Sequence, residues 1–568
     1  MGEGQEPWGV NMLRRSFLHN VLLALGAISL LTVLVFLPSF YLLTFIFTRW
    51  DEIYNEIFAH PLIGDTYWKE IGRYLSLSLR LALTTILIDL IIGVPLAYLL
   101  SRGSFPGKSL LEDLTMLPLV IPTSGFGFAT MLAWTASYGL PAILGFDIKV
   151  DTLVPMVNVP LLMLIIHVAL TFPYVVKTVC GALRDIGKSY EIIASSLGSK
   201  PITTFRKITM PLIVPSLLSG LVLAFARSLG ETGATMIVAG VSTTAPIAVV
   251  KWEFENKLAP AAFLGALLVG ISLAIIVPIE YLASSSRRAR RLIPLGVEVL
   301  LVRWERKAPG RLRLFRDIIS LLSIALLVLL PIAVLAYNAM IYWRQDPYTG
   351  RMEGGILYQL YGPARYIDVI AKSMMTSLIV SSLATLISTY VAMISIPVIA
   401  RSGYGRLLRI MLKVPLVIPT SALGLAMILL WGPRGLGLVP PGLWLIVLTH
   451  VVFSVPVIVE TGLASYFETN LPLYEDTARS LGATPYDVME TITIPMIRRG
   501  IIAGSLLAFT HSLGETGATF IVMGDHTTVS TLIVNLVESL AIPASIFASL
   551  VLILTSIVFI VIIRHLIE

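Results

Sequence analysis

Two carboxylates in this 568-residue chain stand inside apolar runs, each within the same eight residues. Ser228-Leu-Gly230-Glu231-Thr232-Gly233-Ala234-Thr235 returns as Ser512-Leu-Gly514-Glu515-Thr516-Gly517-Ala518-Thr519. A charged group at membrane depth costs on the order of 3 kcal/mol, so each glutamate must face protein or water. Two readings stay open for the pair. One is a structural carboxylate satisfied by backbone amides; the other is a pair of charges flanking a polar pathway at an outer gate. The glycines on either side permit a helix break or close helix approach. Hydroxyls that could line such a path come from a second repeat. Pro118-Leu-Val-Ile-Pro122-Thr123-Ser124 returns as Pro415-Leu-Val-Ile-Pro419-Thr420-Ser421.

A polar repeat sits between the apolar runs. Tyr190-Glu191-Ile-Ile-Ala194-Ser-Ser196-Leu197-Gly198-Ser-Lys-Pro201 recurs as Tyr474-Glu475-Asp-Thr-Ala478-Arg-Ser480-Leu481-Gly482-Ala-Thr-Pro485, an offset of 284 (474 − 190, 485 − 201) without a gap. Glu191 and Glu475 open a helical segment, where the helix dipole favours negative charge. Gly198 and Gly482 close it as left-handed caps, and Pro201 and Pro485 restart a helix at its first position. Thr484 with Asp487 three residues on predicts a capping box in the second copy. The pattern predicts a short rigid helix-turn-helix across the end of a bundle. An ordinary interfacial helix is the competing reading. A docking knob is favoured because Ala194, Ser196 and Gly198 are too small to anchor in lipid, yet suit a protein groove.

Other chemistries are disfavoured. Gly103-Ser-Phe-Pro-Gly107-Lys108-Ser109 has three residues between its glycines where a phosphate-binding loop needs four, so Lys108 reads as membrane-flanking charge. The net charge of +7 reflects basic loops, and nucleic acid is not an expected partner. The single cysteine, Cys180, can form no internal disulfide. Arg14-Arg15 resembles a twin-arginine signal, but the apolar run from Val21 to Phe47 is too long for a signal peptide. An ion-coupled transporter needs ionisable groups near the midplane. Asp89 is a candidate but has no counterpart in the second half.

The elements that must position these residues are membrane helices. The chain is 56% hydrophobic and 13% charged, against about 25% charged in soluble domains. Windows of about 20 apolar residues predict helices near 21–48, 75–100, 115–137, 158–180, 211–232 and 262–283. A second set falls near 317–342, 371–398, 410–432, 443–463, 497–516 and 543–564. This divides the chain into a first six-helix domain over 1–286, a basic linker over 287–316 and a second six-helix domain over 317–568. Basic residues crowd the linker, the loops with Arg102 and Lys108 and with Arg401, Arg406, Arg409 and Lys413, and both polar repeats. By the positive-inside rule these face the cytoplasm, as do both termini. The stretches 239–260 and 522–542 are read as outside connections. His167 and Pro173 return as His450 and Pro456, an offset of 283, whereas Pro118 to Pro415 is 297. The first half therefore carries 14 extra residues (297 − 283) in an outer loop. Six helices separate the copies, so the repeats run parallel about an axis along the membrane normal.

Glu-x-x-Ala-x-x-Leu-Gly, then a proline, then Ile-Thr-x-Pro, present in both halves, resembles the "EAA" loop of binding-protein-dependent ABC importer permeases. The resemblance covers nearly the whole chain and implies an all-α membrane protein of the type I importer fold, here two six-helix permease domains fused. It implies a multi-pass protein of the cell membrane that docks two ABC ATPase subunits below and a solute-binding protein above. It also implies no cofactor and no ATPase site of its own. Carried over residue by residue, it assigns coupling to the ATPase to Glu191, Ala194 and Gly198 and to Glu475, Ala478 and Gly482. Ser195-Ser196 against Arg479-Ser480 makes the two docking surfaces unequal. Gly-Glu-x-Gly-Ala is similar to the molybdate, tungstate and sulfate permeases, which makes an oxyanion the expected cargo. The fused architecture is more like ferric-iron and thiamine permeases, which keeps those solutes open.

Overall fold

A computed structural model describes residues 24–137, 139–285, 302 and 311–567. Arg14, Arg15 and all of the basic linker except 302 and 311–316 lie outside the described residues. In the first half the chain runs through α1 (Ala24–Thr48), α2 (Ile63–Arg102), α3 (Lys108–Met116), α4 (Thr123–Thr135), α5 (Leu161–Ile186), α6 (Ser189–Ser196), α7 (Pro201–Gly230), α8 (Ala245–Phe254) and α9 (Leu258–Ser285). The second half repeats the series as α10 (Leu314–Ile341), α11 (Tyr366–Arg401), α12 (Gly405–Val417), α13 (Thr420–Trp431), α14 (Leu443–Glu468), α15 (Leu471–Ser480), α16 (Pro485–Gly514), α17 (Val529–Glu538) and α18 (Ile542–Ile567). Among the described residues ten helices are long and apolar enough to span a membrane, and two bent pairs raise the total to twelve.

The bent pairs correct the windows at 115–137 and 410–432, each of which predicts one continuous helix. The chain turns by 107° between Lys108–Leu119 and Thr123–Ile143, and by 103° between α12 and α13. The cause is proline. Pro122 (ψ 130°) and Pro419 (ψ 132°) are extended and stand just ahead of α4 and α13. Lacking an N–H, they fit a helix start but not its interior.

The fifth window of each half also changes. α7 and α16 end at Gly230 and Gly514, and Glu231 and Glu515 are extended (ψ 126° and 129°). The stretches 239–260 and 522–542 carry the buried apolar helices α8 and α17. Their starts are capped from another helix: the Ser78 hydroxyl accepts the Ala245 N–H at 2.8 Å, and the Ser377 hydroxyl accepts the Val529 N–H at 2.9 Å. α17 also has a local cap in the Thr528–Thr531 capping box, so only the bonds from Ser78 and Ser377 lack a local sequence signal. The 14 extra residues carry a small antiparallel ladder in which Leu153 faces Pro160 and Val154 faces Val159.

The halves are intertwined. The Leu37–Thr48 part of α1 packs on α13 of the second half, and Leu330–Ile341 of α10 packs on α4 of the first. α9 also packs on α13, and α18 on α4. One continuous apolar core results. Lipid tails supply no hydrophobic drive between helices, so the packing depends on small residues that allow backbone approach. Gly127 and Gly424 show this most clearly. A Cβ on Gly127 would lie 2.8 Å from the Ala234 Cα, and one on Gly424 2.8 Å from the Ala518 Cα.

Gly127→Ala and Gly424→Ala are each expected to destabilise the protein by about 1–3 kcal/mol through overpacking. Gly270→Ala meets no atom within 4 Å and should be neutral or stabilising. Thermal unfolding in detergent, followed by size-exclusion chromatography, checks the ranking; equal midpoints for all three would contradict it.

Candidate functional site

The two Gly-Glu-Thr-Gly-Ala segments meet face to face where the halves join. A Cβ on Gly233 would lie 2.5 Å from the Thr516 side chain, and one on Gly517 would lie 2.7 Å from that of Thr232. Each segment also abuts the proline turn of the opposite half: Gly230 against Pro419 and Gly514 against Pro122. No side chain fits at these four glycines: Gly230 and Gly514 lie on the backbone of the opposite proline turn, and Gly233 and Gly517 on threonine side chains of the opposite half. Thr232 and Thr516 are buried in this contact, and Thr420 Oγ1 stands beside Gly517. Thr123 begins α4 at its edge. Ser124 and Ser421 are fully buried, and neither hydroxyl has a partner among the described residues.

Glu231 and Glu515 are buried, and their bonding explains why the helix breaks here. Each carboxylate accepts the backbone N–H three residues on, Ala234 at 3.1 Å and Ala518 at 3.2 Å. That satisfies a donor left orphaned at the start of the next helical turn. The second oxygen differs between the halves. Arg227, one turn back, pairs with Glu231 at 2.7 Å; its counterpart (227 + 284) is His511, 3.6 Å from Glu515. Of the two readings open for these carboxylates, the structural one describes their bonding.

A pair of histidines buttresses the breaks. His167 stands 2.8 Å from the Ser228 hydroxyl and 2.9 Å from that of Thr235. His450 repeats this with Ser512 at 2.6 Å and Thr519 at 2.9 Å. Each imidazole thus ties the helix before the break to the turn after it.

At the other end of the bundle the polar repeats fold as the sequence predicts. α6 ends at Gly198 (φ +81°) and α15 at Gly482 (φ +93°), both left-handed. The Ser199 N–H then bonds the Ala194 carbonyl at 2.9 Å, and the Ala483 N–H bonds that of Ala478 at 3.0 Å. The Thr484–Asp487 capping box is present, with both reciprocal bonds made.

The glutamates of these loops point inward. Glu191 accepts from Arg102 Nε at 3.1 Å and from the Thr209 hydroxyl at 3.2 Å, while Arg102 also donates to the Gly187 carbonyl at 2.7 Å. Glu475 accepts from Arg401, from the Tyr466 hydroxyl at 2.9 Å and from the Thr493 hydroxyl at 2.5 Å. Arg401 also reaches Asp476 at 2.8 Å. Ala194 is buried and Ala478 half-buried, whereas Gly198 and Gly482 are open, with nothing within 4 Å of a Cβ. The outward faces carry Tyr190, Ile193 and Leu197 in one loop and Tyr474 and Leu481 in the other, all exposed.

Sequence reasoning passes over Arg102 and Arg401, reading both as membrane-flanking charge. A signal is present: each is the last residue of its long helix and is followed within two positions by glycine. Arg227 escapes it as well, although a cation four residues before Glu231 on an apolar helix is an i,i+4 pair.

Comparison with known proteins follows this geometry. The family described as "Binding-protein-dependent transport system inner membrane component" matches residues 17–290. A sulfate transport system permease protein of Salmonella typhimurium is 31% identical over 251 residues, covering 42% of this chain and 83% of that protein. A molybdenum transport system permease protein of Mycobacterium tuberculosis is 33% identical over 209 residues, covering 36% of this chain and 76% of its own length. A molybdate/tungstate transport system permease protein of Pyrococcus furiosus is 28% identical over 279 residues, covering 49% of this chain and 100% of its own length. The duplicated loops, the ten to twelve candidate spans among the described residues and these matches agree that the chain belongs to the binding-protein-dependent transport system inner membrane components, the permeases of ABC importers.

Proposed function

We propose that this chain is the whole transmembrane part of an ATP-driven importer, taking a small oxyanion from an external binding protein and docking two ATPase subunits through its duplicated loops. The observation that carries the reading is the pair of duplicated knobs, each hung from a long membrane helix by an arginine–carboxylate strut. Both termini and the linker 287–316 lie in the cytoplasm in this reading, and 1–286 and 317–568 serve as the two permease domains.

Coupling then divides between residues. Glu191 and Glu475 anchor the knobs to α2 and α11, and Ala194 and Ala478 let the knob helices pack close. Gly198 and Gly482 set the turn, and the exposed apolar residues enter the ATPase groove. Thr232, Thr516, Thr123 and Thr420 bound the gate, which the Glu231 and Glu515 breaks allow to hinge. Ser124 and Ser421 stand beside it, their hydroxyls without a partner among the described residues. The cargo reading leans on relatives named for sulfate, molybdenum and molybdate/tungstate. The bonding of Glu231 to Arg227 and to the Ala234 N–H also favours it, because that charge is offset locally.

Gly198→Asp and Gly482→Asp force a branched residue into left-handed backbone, at about 1–2 kcal/mol each, and put charge on the docking surface. Each is expected to lower uptake at least about tenfold while the helices still insert. Wild-type uptake and ATPase stimulation in both variants would contradict the coupling assignment.

Titration calorimetry on the partner binding protein should give tight binding of sulfate, molybdate or tungstate. Tight binding of thiamine, ferric iron or a sugar would end the cargo reading and leave the permease assignment standing.

A further inference from the structure

Against the contact between the halves lies a cavity of about 190 Å³, lined by both halves. Tyr174 and Lys177 of α5, Arg227 of α7 and Thr123 form its first-half wall, with Val457, Thr510, His511 and Glu515 opposite. It lies on the side of the contact toward which α5 runs to reach the knob.

The charges in this wall do not cancel. Arg227 is taken by Glu231 at 2.7 Å. Glu515 is taken by the Ala518 N–H, with His511 at 3.6 Å. Lys177 is exposed to the cavity and has no hydrogen bond or ion pair among the described residues. The Tyr174 hydroxyl, one turn away on the same helix face, likewise has no hydrogen-bond partner among them. The counterparts in the second half are different. Position 174 + 283 is Val457, and 177 + 283 is Glu460, which is tied to Arg409 at 3.3 Å. The duplication is therefore broken where the cavity lies, and broken toward an unpaired cation and a free hydroxyl. An ammonium within the membrane persists only beside water or an anion.

We propose that this cavity is a transit site for the translocated oxyanion, with the Lys177 ammonium and the Tyr174 hydroxyl as its donors and the Thr123 hydroxyl beside them. The start of α4 at Thr123 adds a favourable dipole end. Arg227 does not bind directly; it is held by Glu231, while Glu515 in the opposite wall is held by the Ala518 N–H. The site rests on the oxyanion reading of the cargo. It also assigns selection for charge to the permease, one step after the binding protein has released its solute.

The test uses the full permease with its ATPase and binding protein in proteoliposomes, with radiolabelled sulfate and, in parallel, molybdate. Lys177→Gln should lower maximal uptake about tenfold or more, the size expected for losing one charged hydrogen bond. ATP hydrolysis stimulated by the loaded binding protein should fall less, so that fewer anions cross per ATP. Lys177→Arg should keep most uptake, and Lys177→Glu should abolish it. This dependence on charge is one that a packing role would not produce. Oxyanion uptake at the wild-type rate in Lys177→Gln and Lys177→Glu overturns the site and leaves the cargo reading standing. A Lys177→Arg variant that assembles yet transports no better than Lys177→Gln also overturns it. If calorimetry gives the binding protein a non-anionic solute, the cargo reading fails on its own, and uptake of that solute unimpaired in Lys177→Gln removes the site with it.

Discussion

A backbone amide inside a membrane must find an acceptor within the protein, and the centre of this molecule is arranged around that requirement. α7 and α16 stop at Gly230 and Gly514, which orphans the first amides of the turn that follows. Glu231 and Glu515 supply the acceptor, bonding the N–H three residues on. With the break satisfied, the glycines beside it can lie directly against the opposite half. The carboxylates thus make possible a close contact between the halves, and the histidine bridges of His167 and His450 hold the broken pieces in line.

The same two helices lead from this contact to the duplicated polar loops. α7 begins at Pro201, immediately after the first knob, and α16 begins at Pro485 after the second. Each knob is in turn tied to the end of a long helix by Arg102 or Arg401. A displacement of the knobs therefore has a stiff route to the breaks. The two routes are not equal: Glu475 collects Arg401, Tyr466 and Thr493, whereas Glu191 collects Arg102 and Thr209. Arg227 against His511 repeats the inequality at the inner end. A fused chain permits such divergence, because the two halves no longer share one sequence.

Much of this arrangement is legible in the amino-acid sequence. The twelve apolar windows, the duplication and the left-handed glycines at 198 and 482 follow from composition, spacing and elementary cap chemistry. The features that are not legible depend on distant partners. α8 and α17 are only ten residues long, and their first amides are also bonded by Ser78 and Ser377 of other helices. The proline turns at Pro122 and Pro419 interrupt windows that hydropathy averages over. The inward direction of Glu191 is set by Arg102, 89 residues away. The exchange of α1 and α10 between halves has no trace in a pattern that repeats identically on both sides.

The most direct test of the closed contact is a reversible cross-link across it. Thr232→Cys with Thr516→Cys, oxidised in the resting transporter, should cross-link, stop uptake, and release it again when reductant is added. Trapping the ATPase in its nucleotide-bound state beforehand should lower the yield of cross-link. A cross-link that forms fully while uptake continues at the wild-type rate would show that the path does not open between these two segments.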